Sequence, residues 1–512
     1  MESVDLTRRS LLASAAIIGL TPKTDPRIIG GFVFESQQWG HRLRDRAAFP
    51  VATRQIKVPV IVAGGGIAGL SAAWRLEKKG FHDFLMLEAE SGAGGNARWG
   101  ENEVSAYPWA AHYLPVPNRS AEYVRELCQE LGLLQDDGRW DELTLCHSPQ
   151  ERLFLYGRWQ EGIEPSVGLQ DADRQEFRRF DERMAEFRAS KRFMIPMERG
   201  EKSSPLDHLS MADWMRQEKF RSRYLNWYVN YCCRDDYGAM AAATSAWAGV
   251  HYFAAREHEE KGPLVWPEGN GWIARRLIEK LGRYIRAGAP VHRISKRGRG
   301  WSVLAGDTEY LADCVIFAAP TFTAPYIVEG AAPVDFTYSP WLTANLTLRR
   351  LPREAPGEPL GEKGMPLCWD NVIFDSPALG YVDNMHQSLR THIDQDVWTF
   401  YWALAMDTPA RSRRLLLDND WNFWKDAILN DLERAHPDIR QCVSRIDILR
   451  LGHAMARPTP GFLESADRRR AAEGSGTLFY ANSDLSGFSI FEEAQYRGVR
   501  AADRAMHTLG RS

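Results

Sequence analysis

Val58-Pro59-Val60-Ile61-Val62-Ala63-Gly64-Gly65-Gly66-Ile67-Ala68-Gly69 is the stretch on which the fold turns. Its first six residues are apolar throughout, as a strand buried on both faces of a parallel sheet requires. Three glycines then arrive at fixed offsets. Gly64 suits a tight turn, Gly66 lets backbone approach a pyrophosphate, and Gly69 lets the following helix pack against the strand. Helical spacing runs over 70–79 and stops at Gly80, and a second apolar run, Phe84–Leu87, ends at Glu88. The N-terminus of the helix, with Ile67 and Ala68 in its first turn, presents unpaired N–H groups and a positive dipole end to a phosphate. Glu88 follows Gly69 by nineteen residues, where a carboxylate accepts hydrogen bonds from a ribose hydroxyl pair and repels a 2′-phosphate. Strand, glycines, helix, strand and acid in register predict a dinucleotide site and argue against NADP.

Around this site lies a chain of 512 residues, long enough for two to four domains or two large interleaved ones at roughly 100–200 residues each. A hydrophobic share of 44% with 26% charged residues fits a globular protein rather than a disordered or fibrous one. Lys+Arg 64 against Asp+Glu 67 leaves a net charge of -3, so no overall basic field favours nucleic acid. The seven cysteines are too few and scattered for a disulfide scaffold, and no Cys-x-x-Cys pair or His-Glu-x-x-His run makes a case for a metal.

The residues after Glu88 narrow the cofactor. Ala89-Glu90-Ser91-Gly92-Ala93-Gly94-Gly95-Asn96-Ala97-Arg98 resembles the loop of the FAD-dependent amine oxidase and phytoene desaturase superfamily. In that family a Gly-Gly pair, usually followed by Arg, wraps the flavin's pyrophosphate. Gly94 and Gly95 match it, Asn96 stands where the Arg is usual, and Arg98 follows two positions later. Other segments resemble the family in order along the chain. Val291 opens a strand like the one whose backbone contacts the adenine side. Ala312-Asp313-Cys314-Val315-Ile316-Phe317-Ala318-Ala319-Pro320 is similar to the returning strand, and Trp266-Pro267-Glu268-Gly269-Asn270-Gly271 to the turn re-entering the FAD domain. Leu478 to Asp484 resembles the last strand, whose acid holds the ribityl–phosphate portion, and Phe491 begins the closing helix beside the isoalloxazine.

The resemblance implies an α/β fold: a Rossmann-like FAD-binding domain built from discontinuous segments plus an α+β substrate domain. FAD-binding pieces at 54–115, 262–330 and 455–512 alternate with substrate pieces at 116–261 and 331–454. The first insert reads as helical, with runs at 120–131 and 171–192, and 238–255 reads as one buried helix. The second mixes strands at 343–348 and 397–405 with a helix at 420–436.

The chemistry implied is oxidation of a small-molecule amine, polyamine-like or other, by hydride transfer to flavin N5, with FAD held non-covalently. Amine oxidases of the family place a lysine on a substrate-domain strand near N5. The corresponding strand, Pro340 to Leu348, has none, and no lysine occurs between Lys296 and Lys363. That departure favours an electron acceptor other than oxygen, or desaturase or isomerase chemistry on an apolar substrate; a non-catalytic FAD-binding protein is the third reading. Candidate catalytic residues are His112, in Tyr107 to Tyr113 where the chain passes the flavin ring, and Asp370, able to bind an ammonium. Trp369, Asn371 and Tyr381 are candidates to face the same pocket, and Cys232-Cys233 read as buried apolar residues. The substrate, the acceptor and the oligomeric state are not fixed by sequence.

Residues 1–30 read as an address. Arg8-Arg9 followed by a ten-residue apolar run to Leu20 resembles a twin-arginine export signal, too short for the ~20 residues of a membrane span. It implies the twin-arginine export machinery as partner and the periplasm as destination, or the cytoplasm if the signal is silent.

Overall fold

The computed structural model describes residues 28–34, 37–257, 262–354 and 366–511; the twin-arginine pair and the apolar run to Leu20 lie outside them. Its organising element is a five-stranded parallel sheet in the order Ile285–Arg286, Phe84–Leu87, Val60–Ala63, Cys314–Phe317, Leu478–Tyr480. The central strands are nearly all apolar because both faces are covered. Val60 and Val62 face the helices Ile67–Lys78, Gly271–Leu281 and Phe491–Thr508. Ile61 and Ala63 face a four-stranded sheet made of Val291–Arg297, Gly300–Ala305, Thr308–Ala312 and Arg54–Lys57. The closing helix lies so close on the nucleotide helix that a Cβ at Gly498 would overlap the carbonyl oxygen of Ala68.

A second, eight-stranded sheet runs Ile29–Val33, Val443–Arg457, Thr337–Leu348, Asp396–Ala403, Gly380–Asp383, Asp370–Ile373, Glu151–Leu155, Arg158–Glu161. One face carries the helix Trp421–Leu432 over Leu342, Ala344, Trp398 and Phe400. The other carries Asp171–Ala189, Met211–Gln217, Arg223–Tyr237 and Ala246–Ala254 over Trp341, Val382, Tyr401 and Ala403.

Two expectations need correction. The first insert is not only helical: it supplies the hairpin Glu151–Leu155 and Arg158–Glu161, and Glu151 pairs in parallel with Asp370. The stretch 238–255 is not one helix either. Gly238, at φ +58°, closes Arg223–Tyr237 in a left-handed cap, and a new helix starts only at Ala246.

The two sheets meet along a polar seam. Asn345 Nδ2 donates to the Pro108 carbonyl at 3.0 Å while its Oδ1 accepts from Thr399 Oγ1 at 2.6 Å. Asn96 Nδ2 donates to the Ala454 carbonyl at 3.1 Å, and Tyr338 donates to Asp484 Oδ2 at 2.9 Å.

Candidate active site

The glycine-rich turn has the shape a diphosphate needs. Gly64 adopts φ +112°, and a Cβ there would lie 2.8 Å from the Ala318 carbonyl carbon. A Cβ at Gly69 would overlap the Gly64 carbonyl oxygen, so helix and strand can close only on glycine. At Gly66 the situation reverses: the nearest atom to a Cβ is Gly95 Cα at 3.9 Å, which leaves a cradle between the two glycine backbones. The helix Ile67–Lys78 starts there without a side-chain cap, and its first paired N–H is that of Leu70 on the Gly66 carbonyl. The N–H groups of Ile67, Ala68 and Gly69 therefore have no intrahelical acceptor, and a phosphate supplies one.

Glu88 is oriented by the backbone around it. Oε2 accepts from Gly65 N at 2.6 Å and Oε1 from Glu90 N at 2.8 Å, across Ala89. Burial holds its carboxyl above the ordinary range despite these two donors. Its neighbours Ala289 and Gly288 donate to the carbonyls of Glu88 and Glu90 at 2.8 and 2.7 Å, which sets Val291 beside the same edge. Gly94 and Gly95 line the far side of the cradle, Ala97 is buried, and Arg98 Nε donates to the Gly95 carbonyl at 3.0 Å under the ring of Phe34, 4.5 Å away. The exposed Asn96 ties the loop to the eight-stranded sheet through Ala454. Asp484 is buried, with Oδ2 accepting from Thr321 N at 2.8 Å and from Tyr338, and Phe491 opens the closing helix, again without a side-chain cap. These residues fit an extended dinucleotide.

Across the seam, the second sheet builds a pocket of acids and rings. Asp370 and Glu151 are register partners of a parallel pair, so their side chains leave the same face. Asp370 is 7% exposed, and its Oδ1 accepts from Tyr401 at 2.7 Å. Asp235 and Asp236 reach the same region from the last turn of Arg223–Tyr237, where the negative end of a helix disfavours acids. Both are deep in the fold yet retain accessible surface, so they border an internal space. Burial, and then Asp236 and Glu151, push the Asp235 carboxyl up to about 7. Burial raises Asp236 to about 6, opposed by Arg256. Burial and then Glu151 hold Asp370 well above the carboxylate range, and burial alone raises Glu151. Arg256 is already matched, donating to Glu492 Oε1 at 2.7 Å.

His112 stands at the rim of this group, its ring 4.9 Å from Tyr401, 5.1 Å from Tyr113 and 5.8 Å from Trp369. Its Nδ1 bonds the Ala110 carbonyl at 3.0 Å, so Nδ1 carries the proton and Nε2 is an acceptor. Burial pushes its pKa down to about 4, which keeps the ring neutral. Four carboxyl groups whose pKa values burial raises, with rings beside them, suit a cation: it favours their ionised forms and stacks against aromatic faces.

The structure thus brings His112, Asp370 and Trp369 together, and adds Glu151, Asp235, Asp236 and Tyr401, which sequence reasoning did not select. It does not bring Asn371 and Tyr381 to the pocket. These two are register partners on the opposite face, where Tyr381 bonds Arg152 and His436 and stacks on Trp398 at 4.2 Å. Alternation along Asp370–Ile373 was the available signal, since Asp370 and Asn371 must diverge. Cys232 and Cys233 are buried and unpaired.

The family described as flavin containing amine oxidoreductase matches residues 67–346, more than half of the chain. A putrescine oxidase solved with putrescine bound superposes with a TM-score of 0.67 at 16% identity, covering 88% of this chain and 100% of that one. Cyclohexylamine oxidase from Brevibacterium oxydans IH-35A gives 0.65 at 17% identity over 89% and 100%. A fatty acid isomerase from P. acnes gives 0.58 at 14% over 87% and 98%. At these identities the likeness is one of fold. A ketocytochalasin monooxygenase of Aspergillus clavatus is 28% identical over 137 residues, 24% of this chain and 20% of that protein, so the chain spans about a fifth of that relative's length.

Proposed function

The chain belongs to the flavin containing amine oxidoreductase family and is an FAD-dependent oxidoreductase, and on that premise we propose that it oxidises an amine bearing more than one ammonium group. The observation that carries this reading is the convergence of Glu151, Asp235, Asp236 and Asp370 on one pocket beside His112. FAD supplies the acceptor for a hydride from the carbon next to the amine nitrogen. The chain's own residues do the rest. Asp370, braced by Tyr401, holds one ammonium; Asp235 and Asp236 hold a second; His112 Nε2 accepts a hydrogen bond from the nitrogen at the rim. The relatives that act on putrescine and cyclohexylamine share the fold in which this pocket sits. An apolar substrate, as for the isomerase, would leave four acids facing hydrocarbon at a cost of several kcal/mol.

The test is anaerobic titration of the FAD-loaded protein with 1,4-diaminobutane, spermidine, butylamine and an apolar polyene, following the visible flavin band. Bleaching by the diamine at concentrations at least tenfold below those of butylamine supports the reading. Bleaching by the polyene alone refutes it. The strand Thr337–Leu348 turns Trp341, Thr343 and Asn345 toward the pocket and carries no lysine, which supports an acceptor other than oxygen; recovery of the bleached band by a quinone dye but not by air is the expected result. Export through the twin-arginine pathway is likewise proposed from Arg8-Arg9, and loss of periplasmic protein on Arg8→Lys with Arg9→Lys is its check.

A further inference from the structure

Arg457, the last residue of the strand Val443–Arg457, is 7% exposed and forms no ion pair among the described residues. Among the described residues none accepts a hydrogen bond from its side chain, and its Nε is fully enclosed without a partner. Among the described residues no carboxylate supports its charge, and burial alone acts on it, lowering its pKa. A nearly buried guanidinium whose Nε is enclosed without a partner is costly unless a ligand completes it. Its position says which ligand. Three residues earlier, Ala454 receives the Asn96 side chain of the dinucleotide loop. Five residues later, Phe462 packs under Gly487, in the loop that leads into the closing helix. Ala454, Met455, Tyr113 and Ile490 all stay partly open against the same core, so this stretch borders the space between the two sheets. Three strand residues span about 10 Å, so Arg457 lies further along the seam than the loop contact at Ala454.

We propose that Arg457 is the counter-ion for the negative charge that FAD carries on its ring when reduced, and that it tunes the cofactor's potential rather than binding substrate. A positive charge there favours the reduced form, so removing it makes reduction harder. The experiment is a dye-coupled reductive titration of FAD-loaded wild type, Arg457→Met and Arg457→Lys. The expected result is a fall of at least tenfold in the two-electron reduction constant of Arg457→Met, about 30 mV, with Arg457→Lys within threefold of wild type. An unchanged constant in Arg457→Met overturns the proposal. So does an unchanged constant accompanied by lost binding of benzoate, which would assign Arg457 to a ligand carboxylate. If Arg457→Met does not retain FAD, Arg457→Gln is compared with Arg457→Lys, and a difference under threefold overturns it. These readouts use no amine, so they stand apart from the substrate reading.

Discussion

Replacing Asp235 by Asn removes one charge from the pocket and leaves its shape. In the free protein burial, Asp236 and Glu151 hold this carboxyl at about 7, against an ordinary 3.8. Between those values the native state binds the proton and the unfolded chain releases it. Asp235 therefore costs stability as pH rises through that window, and the full cost is present above about 7. A bound ammonium reverses this, because it needs the ionised form. Below pH 7 the amine must first expel a proton, so its affinity falls by up to tenfold for each pH unit. Above pH 7 the pair is charge-assisted and contributes about 1.5–3 kcal/mol, roughly 10–150-fold in affinity. The assay is anaerobic titration of the flavin band with 1,4-diaminobutane from pH 5.5 to 8.5, with FAD content checked at each point. Asp235→Asn is expected to weaken the diamine by that factor at pH 8 and by much less at pH 5.5, and to leave butylamine within threefold. An equal effect on both amines, or a wild-type pH dependence in the variant, would exclude Asp235 as the partner of the second ammonium.

Other consequences follow from single contacts. Tyr401→Phe removes the donor 2.7 Å from Asp370 and leaves a buried carboxyl unsupported; amine affinity should fall about 5–30-fold, for about 1–2 kcal/mol, at unchanged FAD content. Gly69→Ala puts a Cβ onto the Gly64 carbonyl, so the turn must open; the purified protein should lose most of its bound FAD, measured as the ratio of flavin to protein absorbance. His112, held neutral down to about 4, should show no titration between pH 5 and 8 in its ring NMR signals; a midpoint near 6.5 would contradict its enclosed position. Gly498→Val wedges the closing helix away from Ala68 and should destabilise the FAD-loaded protein by at least about 1–3 kcal/mol in denaturant unfolding.

The dinucleotide half was legible because its demands are local. A buried strand, a turn that only glycine can make at Gly64, and an acid at the end of the next strand all lie within 58–88, and the structure places each at the cradle. Val291, Asp484 and Phe491 were reachable only through resemblance; Asp484 takes its contacts from the sequence-distant Thr321 and Tyr338. The pocket was half legible. Asp370 and His112 stood out as single residues, but Glu151 joins them through a parallel strand pairing more than two hundred residues away. Asp235 and Asp236 carry no local signal that sets them apart, and only the packing of that helix over the sheet turns them inward. Tyr381 is not legible from its own strand, because only the register with Asn371 turns it to the opposite face.

The most direct test of the account is a crystal structure of the FAD-loaded protein soaked anaerobically with 1,4-diaminobutane. The prediction is a diamine lying beside His112 with one ammonium on Asp370 and the other among Asp235 and Asp236. A diamine bound elsewhere, with these carboxyl groups closed on one another or packed in hydrocarbon, would contradict it.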